Sequence, residues 1–420
     1  MDSDHNFRHL QVVAAVAKYG GVHRAAERIN LSQPAISQAI AGVERAVGEA
    51  LFDRVASGMI PTEAGRCFAK RIDQALDYLR TGGQAIAPRK PGRGNASPLR
   101  DRPPTTVQLR ALIEVIERGG YAPAARQLGI TQPSIHRAIR DLEQVAKRKL
   151  FQPSPFGAAP TTEALILSRW ANLAFREIAL GLDDMSELRG LRNGSLNIGA
   201  LPLVRTSILP AAVTRLLAQF PDARIKILDG AYAELLNHLQ HGRIDLIVGA
   251  LRQPAPANDL CQEELFQEPL SIVVRAGHPL LAGGTPDPGQ LVALEWIAPH
   301  ESTPARANFA EFFRRHGYPM PKRIIECSSF ITMRDLLVRS DRVALLSSSQ
   351  IHYEALAGEL AIAVDALPGT ERPIGICTRL GWSPTKVQSS FLSLVRELAQ
   401  TAPDVNRAAA SGSRVPASYK

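Results

Sequence analysis

Ser32-Gln33-Pro34-Ala35-Ile36 and Thr131-Gln132-Pro133-Ser134-Ile135 are two settings of one phrase, 99 residues apart in a chain of 420. The register holds on both sides. Gly20-Gly21 answers to Gly119-Gly120, Ala25-Ala26 to Ala124-Ala125, Glu44 to Glu143, and Leu51-Phe52 to Leu150-Phe151. Self-similarity on this scale means that one folding unit is present twice. In each copy Ser32 or Thr131 stands where a helix N-cap belongs, and Pro34 or Pro133 falls in the first turn, where its missing N–H does no harm. Ile36, Ile40, Val43 and Val47 then recur at helical spacing, as do Ile135, Ile139, Leu142 and Ala146. With an apolar helix (Phe7 to Lys18) and a short one carrying Ala25-Ala26 before it, each copy reads as a helix-turn-helix. Two DNA-reading heads are expected.

Downstream of Leu51-Phe52, Ser57-Gly58 and Pro61-Thr62-Glu63 mark a turn suited to a small wing. A helix with Phe68, Ile72, Ala75 and Leu79 on one side follows. The second copy leads into a longer helix, Thr162 to Leu188. There Ala171, Phe175, Ile178, Leu182 and Met185 alternate spacings of four and three, the seam of a helix pair awaiting a partner helix. Residues 80–104 are rich in Pro, Gly and basic side chains and read as a flexible linker; 401–420 are Ala/Ser/Pro-rich and read as disordered.

From Ser195 short apolar runs alternate with helical stretches. Strands are expected at Leu196–Gly199, Arg224–Leu228, Ile244–Gly249, Ser271–Val274, Arg342–Leu346, Ala361–Val364 and Ile374–Thr378. Helices are expected at Ile208–Phe220, Ala233–His241 and Val387–Ala399, the last returning to cover the first sheet. This order predicts βαβ units on mostly parallel sheets, in two α/β lobes.

Composition narrows the function. The formal charge is +9, and residues 1–190 hold 26 Lys/Arg against 19 Asp/Glu, which suits a polyanion-binding front end. Cys67, Cys261, Cys327 and Cys377 are scattered without metal spacing, so neither a disulfide frame nor a metal site is expected. The polar start predicts no secretory signal, and no apolar run is long enough for a bilayer, so the expected location is the cytoplasm, away from any membrane. No G-x-S-x-G elbow, P-loop, G-x-G-x-x-G after a strand or H-E-x-x-H is present; His238 and His241, one helical turn apart, are expected to be surface residues. No catalytic residue and no cofactor are expected. A cytosolic binding protein or enzyme on the α/β half is the rival class, and the two basic heads also argue against a solute receptor.

At this point the chain resembles the LysR-type transcriptional regulators. The residues that carry the likeness are Ala25-Ala26, Ser32-Gln33-Pro34-Ala35-Ile36-Ser37, Ile40, Val43-Glu44, Val47-Gly48, Leu51-Phe52, Arg54 and Pro61-Thr62-Glu63-Ala64-Gly65. In the back half Gly194-Ser195-Leu196-Asn197-Ile198-Gly199, Leu209-Pro210, Phe220-Pro221 and Gly242-Arg243-Ile244-Asp245-Leu246 follow the family's order. Arg339-Ser340-Asp341-Arg342 with Thr378-Arg379 and Trp382 is similar to a branch that senses sugars or aromatic acids. The resemblance implies a homodimer or homotetramer that binds double-stranded DNA and answers to a small-molecule effector.

It also implies a multidomain fold. Two all-α winged helix-turn-helix heads (1–61 and 105–161) would precede a two-lobed α/β effector domain like the periplasmic binding proteins (191–400; lobe I 191–260 and 365–400, lobe II 261–364). A helix (62–82) and linker (83–104) would join the heads, with a dimerisation helix at 162–190. Family members normally carry one head, so the second is a departure, and the copies differ: His136 replaces Ser37, Arg137 replaces Gln38 and Pro153 replaces Arg54.

The outer face of a recognition helix near its N-terminus reaches base edges. The candidates are Ser32, Gln33, Pro34, Ser37 and Gln38 with Arg54 in the wing, then Thr131, Gln132, Pro133, His136, Arg137 and Arg140. Gln pairs bidentately with adenine, a Pro ring meets a thymine methyl, and Arg reads guanine or phosphate. It remains open in the sequence whether both heads read DNA or one is structural. For an effector, the loop from Leu201 through Arg205, Thr206 and Ser207, and Ser302-Thr303 and Ser328-Ser329, offer helix N-termini that favour anions, or are simply caps. Tyr232 and Phe330 are candidates to stack on a ring.

Overall fold

The computed structural model describes residues 6–55, 58–87, 99, 103–154, 157–206, 208–284 and 286–410, the last ten as backbone only. The chain divides into two compact units: Met1–Ser195 with Gln240–Arg243, and Leu196–Leu239 with Ile244–Lys420.

The first unit begins with α1 (Phe7–Tyr19), α2 (Val22–Ile29) and α3 (Gln33–Val47). Gly20 ends α1 at φ 72°, the left-handed conformation a glycine adopts without strain. A hairpin of β1 (Phe52–Val55) and β2 (Gly58–Pro61) follows, then α4 (Glu63–Ala85). The same order recurs as α5 (Thr106–Arg118), α6 (Tyr121–Leu128), α7 (Gln132–Ala146), the hairpin β3 (Phe151–Ser154) and β4 (Gly157–Pro160), and α8 (Thr162–Leu188).

Local fixings repeat too. Glu44 accepts from the Leu51 and Phe52 N–H groups at 2.9 and 3.2 Å; Glu143 accepts from Leu150 and Phe151 at 2.8 and 3.4 Å. Thr62 caps α4 by accepting from Gly65 N–H, and Thr161 caps α8 by accepting from Ala164 N–H. The expected stripes are inside: Ile36, Ile40 and Val43 are buried and Val47 half-buried, and Ile135, Ile139, Leu142 and Ala146 are buried.

The seam on α8 has a partner, and it belongs to the same chain. α4 lies antiparallel to α8: Gly181 meets the Phe68 ring, and Tyr78 and Gly82 meet Trp170 at the other end. Between them Arg71, 6% exposed, donates to Glu177 at 2.9 Å and to Asp184 at 2.7 Å. The cores interleave as well. Ala171, Ala174, Ile178 and Met185 of α8 and Leu109 and Ile113 of α5 pack with Leu10, Ile40, Ile72 and Leu79. Ile86 and Leu99 pack in the other core with Leu112, Ile135, Leu142 and Leu167. This corrects the linker expected at 83–104. Gly83–Ala85 belong to α4, Ile86 and Leu99 are buried, and 88–98 and 100–102 lie outside the described residues. Its Pro/Gly-rich composition masked two apolar anchors.

The second unit holds two five-stranded sheets. The strands of the first are β5 (Asn193–Ala200), β6 (Asp222–Asp229), β7 (Leu246–Ala250), β8 (Leu260–Glu268) and, after the second sheet, β14 (Arg372–Arg379). Their order is β6-β5-β7-β14-β8, with β5 parallel to β7 and β14 antiparallel to both its neighbours. The second contains β9 (Ser271–Arg275), β10 (Trp296–Ala298), β11 (Ile324–Glu326), β12 (Val343–Leu346) and β13 (Leu360–Val364), in the order β11-β10-β12-β9-β13. Helices α9 (Ile208–Gln219), α10 (Tyr232–Gln240), α11 (Pro288–Val292), α12 (Pro304–Arg315), α13 (Phe330–Val338), α14 (His352–Leu356) and α15 (Lys386–Ala410) connect and cover them. Val387, Phe391, Val395 and Leu398 of α15 pack with Leu196, Ile198 and Ile374 under the first sheet.

Two boundaries move. Lobe I was expected to end at 260, but β8 pairs with β14 along Leu260–Arg379 to Glu268–Arg372, so the crossing falls at Glu268–Ser271. The polar run Cys261-Gln262-Glu263-Glu264 hid that strand. α15 continues to Ala410, ten residues into the stretch expected to be disordered, and 411–420 lie outside the described residues. Among the described residues no helix is long and apolar enough to cross a membrane, and no cluster of metal-type ligands occurs.

Candidate nucleic-acid interface and effector site

The start of α3 is held by its cap: Ser32 Oγ accepts from Ala35 N–H at 3.4 Å. Ser32, Gln33, Pro34 and Gln38 are exposed and Ser37 half-buried, while Ile36, one position from Ser37, points into the core. Helical geometry therefore puts the polar candidates on the face opposite the buried stripe. Arg54 is exposed on β1, opposite buried Met59 of β2.

In α7 the arrangement recurs with different chemistry. Thr131 Oγ1 accepts from Ser134 N–H at 3.3 Å and shares a 2.8 Å hydrogen bond with the Ser134 hydroxyl. Gln132, Pro133, Arg137 and Arg140 are exposed. His136 is half-buried and stacks on Tyr121 at the start of α6, ring centroids 3.9 Å apart and 21° between planes. Tyr121 in turn leans on Phe151, so the wing, α6 and α7 share one aromatic contact. Tyr121 stands where the first copy has Val22, and spacing alone does not predict it.

In the second unit the candidates separate into two groups. Leu201 is buried, its N–H bonded to Val248 O. Arg205 is held by Asp229 at 2.7 Å, which engages the cation the loop was expected to offer. Thr206 Oγ1 donates to Leu203 O at 3.3 Å and lies 3.4 Å from Ser349 O. Ser207 lies outside the described residues. Ser302 Oγ bonds His300 Nδ1, and exposed Ser328 lies beside Ser329. Thr303 and Ser329 cap α12 and α13 through the Arg306 and Thr332 N–H groups, while Phe330 is half-buried in the core beside Met333 and Leu337.

A second set of polar contacts involves Tyr232, Arg252, Glu268 and Arg372. The Arg252 guanidinium sits over the Tyr232 ring at 4.2 Å, and burial pushes the phenol up to about 12. Arg372, 8% exposed, donates through Nη2 to Ser347 Oγ, while its Nε has no hydrogen-bond partner among the described residues. Burial, with some repulsion from Arg252, pulls this guanidinium down to about 10. Glu268, opposite Arg372 across β8 and β14, accepts from Ser349 Oγ at 2.8 Å, and burial raises its carboxyl. Arg252, Glu268, Ser347, Ser349 and Arg372 were not legible as a group, because strand pairing and turns join four distant stretches.

Comparison with known proteins follows the same division. Residues 189–400 match the family "LysR substrate binding domain". Residues 7–66 and 106–165 each match "Bacterial regulatory helix-turn-helix protein, lysR family". The HTH-type transcriptional regulator GalR of Pseudomonas putida is 31% identical over 393 residues, 94% of this chain and 97% of its own. PcaQ of Agrobacterium fabrum, also an HTH-type transcriptional regulator, is 28% identical over 291 residues, 69% of this chain and 94% of its own. Among solved structures, the LysR family regulator CbnR shares the fold at a TM-score of 0.50 and 22% identity, covering 70% of this chain and 98% of CbnR.

Proposed function

Since the chain belongs to the LysR family of DNA-binding transcriptional regulators, with that family's substrate-binding domain and regulators as relatives, we propose that both three-helix units read double-stranded DNA. The observation that carries this reading is that the same capped, exposed helix face is presented twice, by α3 and by α7. Gln33 and Gln38 suit adenine and Pro34 a thymine methyl, with Ser32 and Ser37 beside them and Arg54 reaching phosphate or minor groove. On α7, Gln132 and Pro133 repeat that chemistry next to Thr131, Arg137 suits guanine, Arg140 meets phosphate, and His136 is fixed by Tyr121. The match to GalR takes in nearly all of both chains, which supports two native units over a chance internal likeness.

Footprinting on the DNA upstream of the chain's own gene separates the alternatives. Gln33→Ala/Ser37→Ala and Gln132→Ala/Arg137→Ala should each erase protection over a different half of the site, at a cost of about 1–3 kcal/mol per lost base contact. Unchanged protection in the second variant would leave α7 structural and one head reading.

The two sheets are read as the lobes of a periplasmic-binding-protein-like effector domain. Arg252 over the Tyr232 ring, with the Arg372 guanidinium close enough for the two charges to repel, suits a carboxylate with a ring, in keeping with an aromatic or sugar acid. Titration with benzoate and with gluconate, followed by thermal shift, tests this. Arg252→Ala should abolish the shift that wild type shows; an unaltered shift would place the ligand elsewhere.

A further inference from the structure

Contacts between α4 and α8 obey the 99-residue offset that relates the two copies. Gly82 corresponds to Gly181, Arg71 to Trp170, and Tyr78 to Glu177. A Cβ built on Gly82 would lie 2.8 Å from Trp170 Cβ, and one on Gly181 would lie 3.1 Å from Arg71 Cβ. These are one contact made twice with the roles exchanged, the signature of a two-fold, isologous pair. The ion pair Arg71–Glu177 and the aromatic pair Tyr78–Trp170, centroids 5.8 Å apart, are likewise the same position seen from both ends. The two ends carry different chemistry. Exchanging equivalent residues shows what like-with-like pairing would do. Two α8 helices would set Glu177 against Trp170 twice, with no Arg71 in the seam to pair Glu177 or Asp184. Two α4 helices would set Arg71 against Tyr78 twice. Removing the partner of a buried charge is strongly destabilising, so the asymmetry selects α4 with α8 and rejects both alternatives.

We infer that one chain is the complete two-headed DNA-binding unit, an internal dimer closed by α4 and α8, and that it binds duplex DNA whose two half-sites are unlike. The second part rests on the proposed reading of DNA by both α3 and α7. The spacing of the recognition helices is set by the helix pair and the interleaved cores, not by the length of the segment joining them. α3 offers Gln33, Ser37 and Gln38 where α7 offers Gln132, His136 and Arg137, so a single bound chain reads a sequence without a dyad. Any association of chains then joins units that already carry two heads.

Two cysteine pairs test the closure in the full chain, with Cys67 on α4 replaced by Ser. Gly82→Cys/Trp170→Cys and Arg71→Cys/Gly181→Cys place their Cβ atoms within about 1 Å of disulfide geometry. Mild oxidation should give a cross-linked single chain of altered mobility on a non-reducing gel, in at least one pair. A covalent dimer would show that the helices pair between chains, and no disulfide in either would show that they do not pair; both outcomes overturn the closure. Selection from random-sequence duplexes by wild-type protein should yield two different half-sites protected by one chain. An inverted repeat would overturn the asymmetric target, and selection of no DNA would defeat DNA reading while the cross-link result stood by itself.

Discussion

Glu44 and Glu143 each hold the end of a helix to the start of a wing with one carboxylate oxygen bonded to two backbone N–H groups. Glu44→Ala leaves both donors unpaired in a half-buried corner, which costs about 1–3 kcal/mol; a lower urea midpoint for the full chain checks it, and Glu143→Ala should match it. Glu268 gives a pH signature. Burial raises its carboxyl above the ordinary value, so the folded state holds the proton more tightly than the unfolded state does. Its contribution is fully present below the unfolded value of 4.5 and is lost as pH rises through the folded value. Urea midpoints between pH 4 and 8 should fall for wild type relative to Glu268→Gln; parallel curves would show that the group is not perturbed. Capping residues such as Ser32 and Thr131 were legible in sequence because a cap is a contact over three residues. Tyr121 under His136, and Arg372 beside Arg252, were not, because their neighbours come from remote stretches.

At the scale of elements, the seam on α8 was visible in its spacing, but its occupant was not. The stripe Phe68, Ile72, Ala75 and Leu79 on α4 was equally plain; what periodicity could not say was that the two faces meet within one chain. Arg71→Ala should cost about 3–5 kcal/mol, because Glu177 and Asp184 would both lose the buried guanidinium that pairs with them. The Arg71→Met/Glu177→Leu/Asp184→Asn variant should recover most of that in thermal denaturation, since uncharged substitutes carry no such penalty. Strands β8, β10 and β11 escaped the sequence for two reasons: β8 is polar along half its length, and the other two are three residues long. Longer strands with continuous apolar runs, such as β7 and β12, were placed within one or two residues.

For the molecule as a whole, the repeat, the basic front half and the order of strands were enough to propose a division of the chain, and the family they resemble is the one whose models match it. Binding to DNA should weaken linearly as log salt rises, and Arg54→Ala or Arg140→Ala should each reduce the slope by about one, as expected when one phosphate contact is lost. A slope unmoved by Arg140→Ala would remove that side chain from the interface. The exchange of Leu109, Ile113, Ile86 and Leu99 between neighbouring cores carries a last consequence. No cut between the repeats leaves a conventional one-headed regulator: either fragment would face water with apolar surface its twin normally covers, so deletion of one repeat should yield aggregates, and melting of the pair should be a single event.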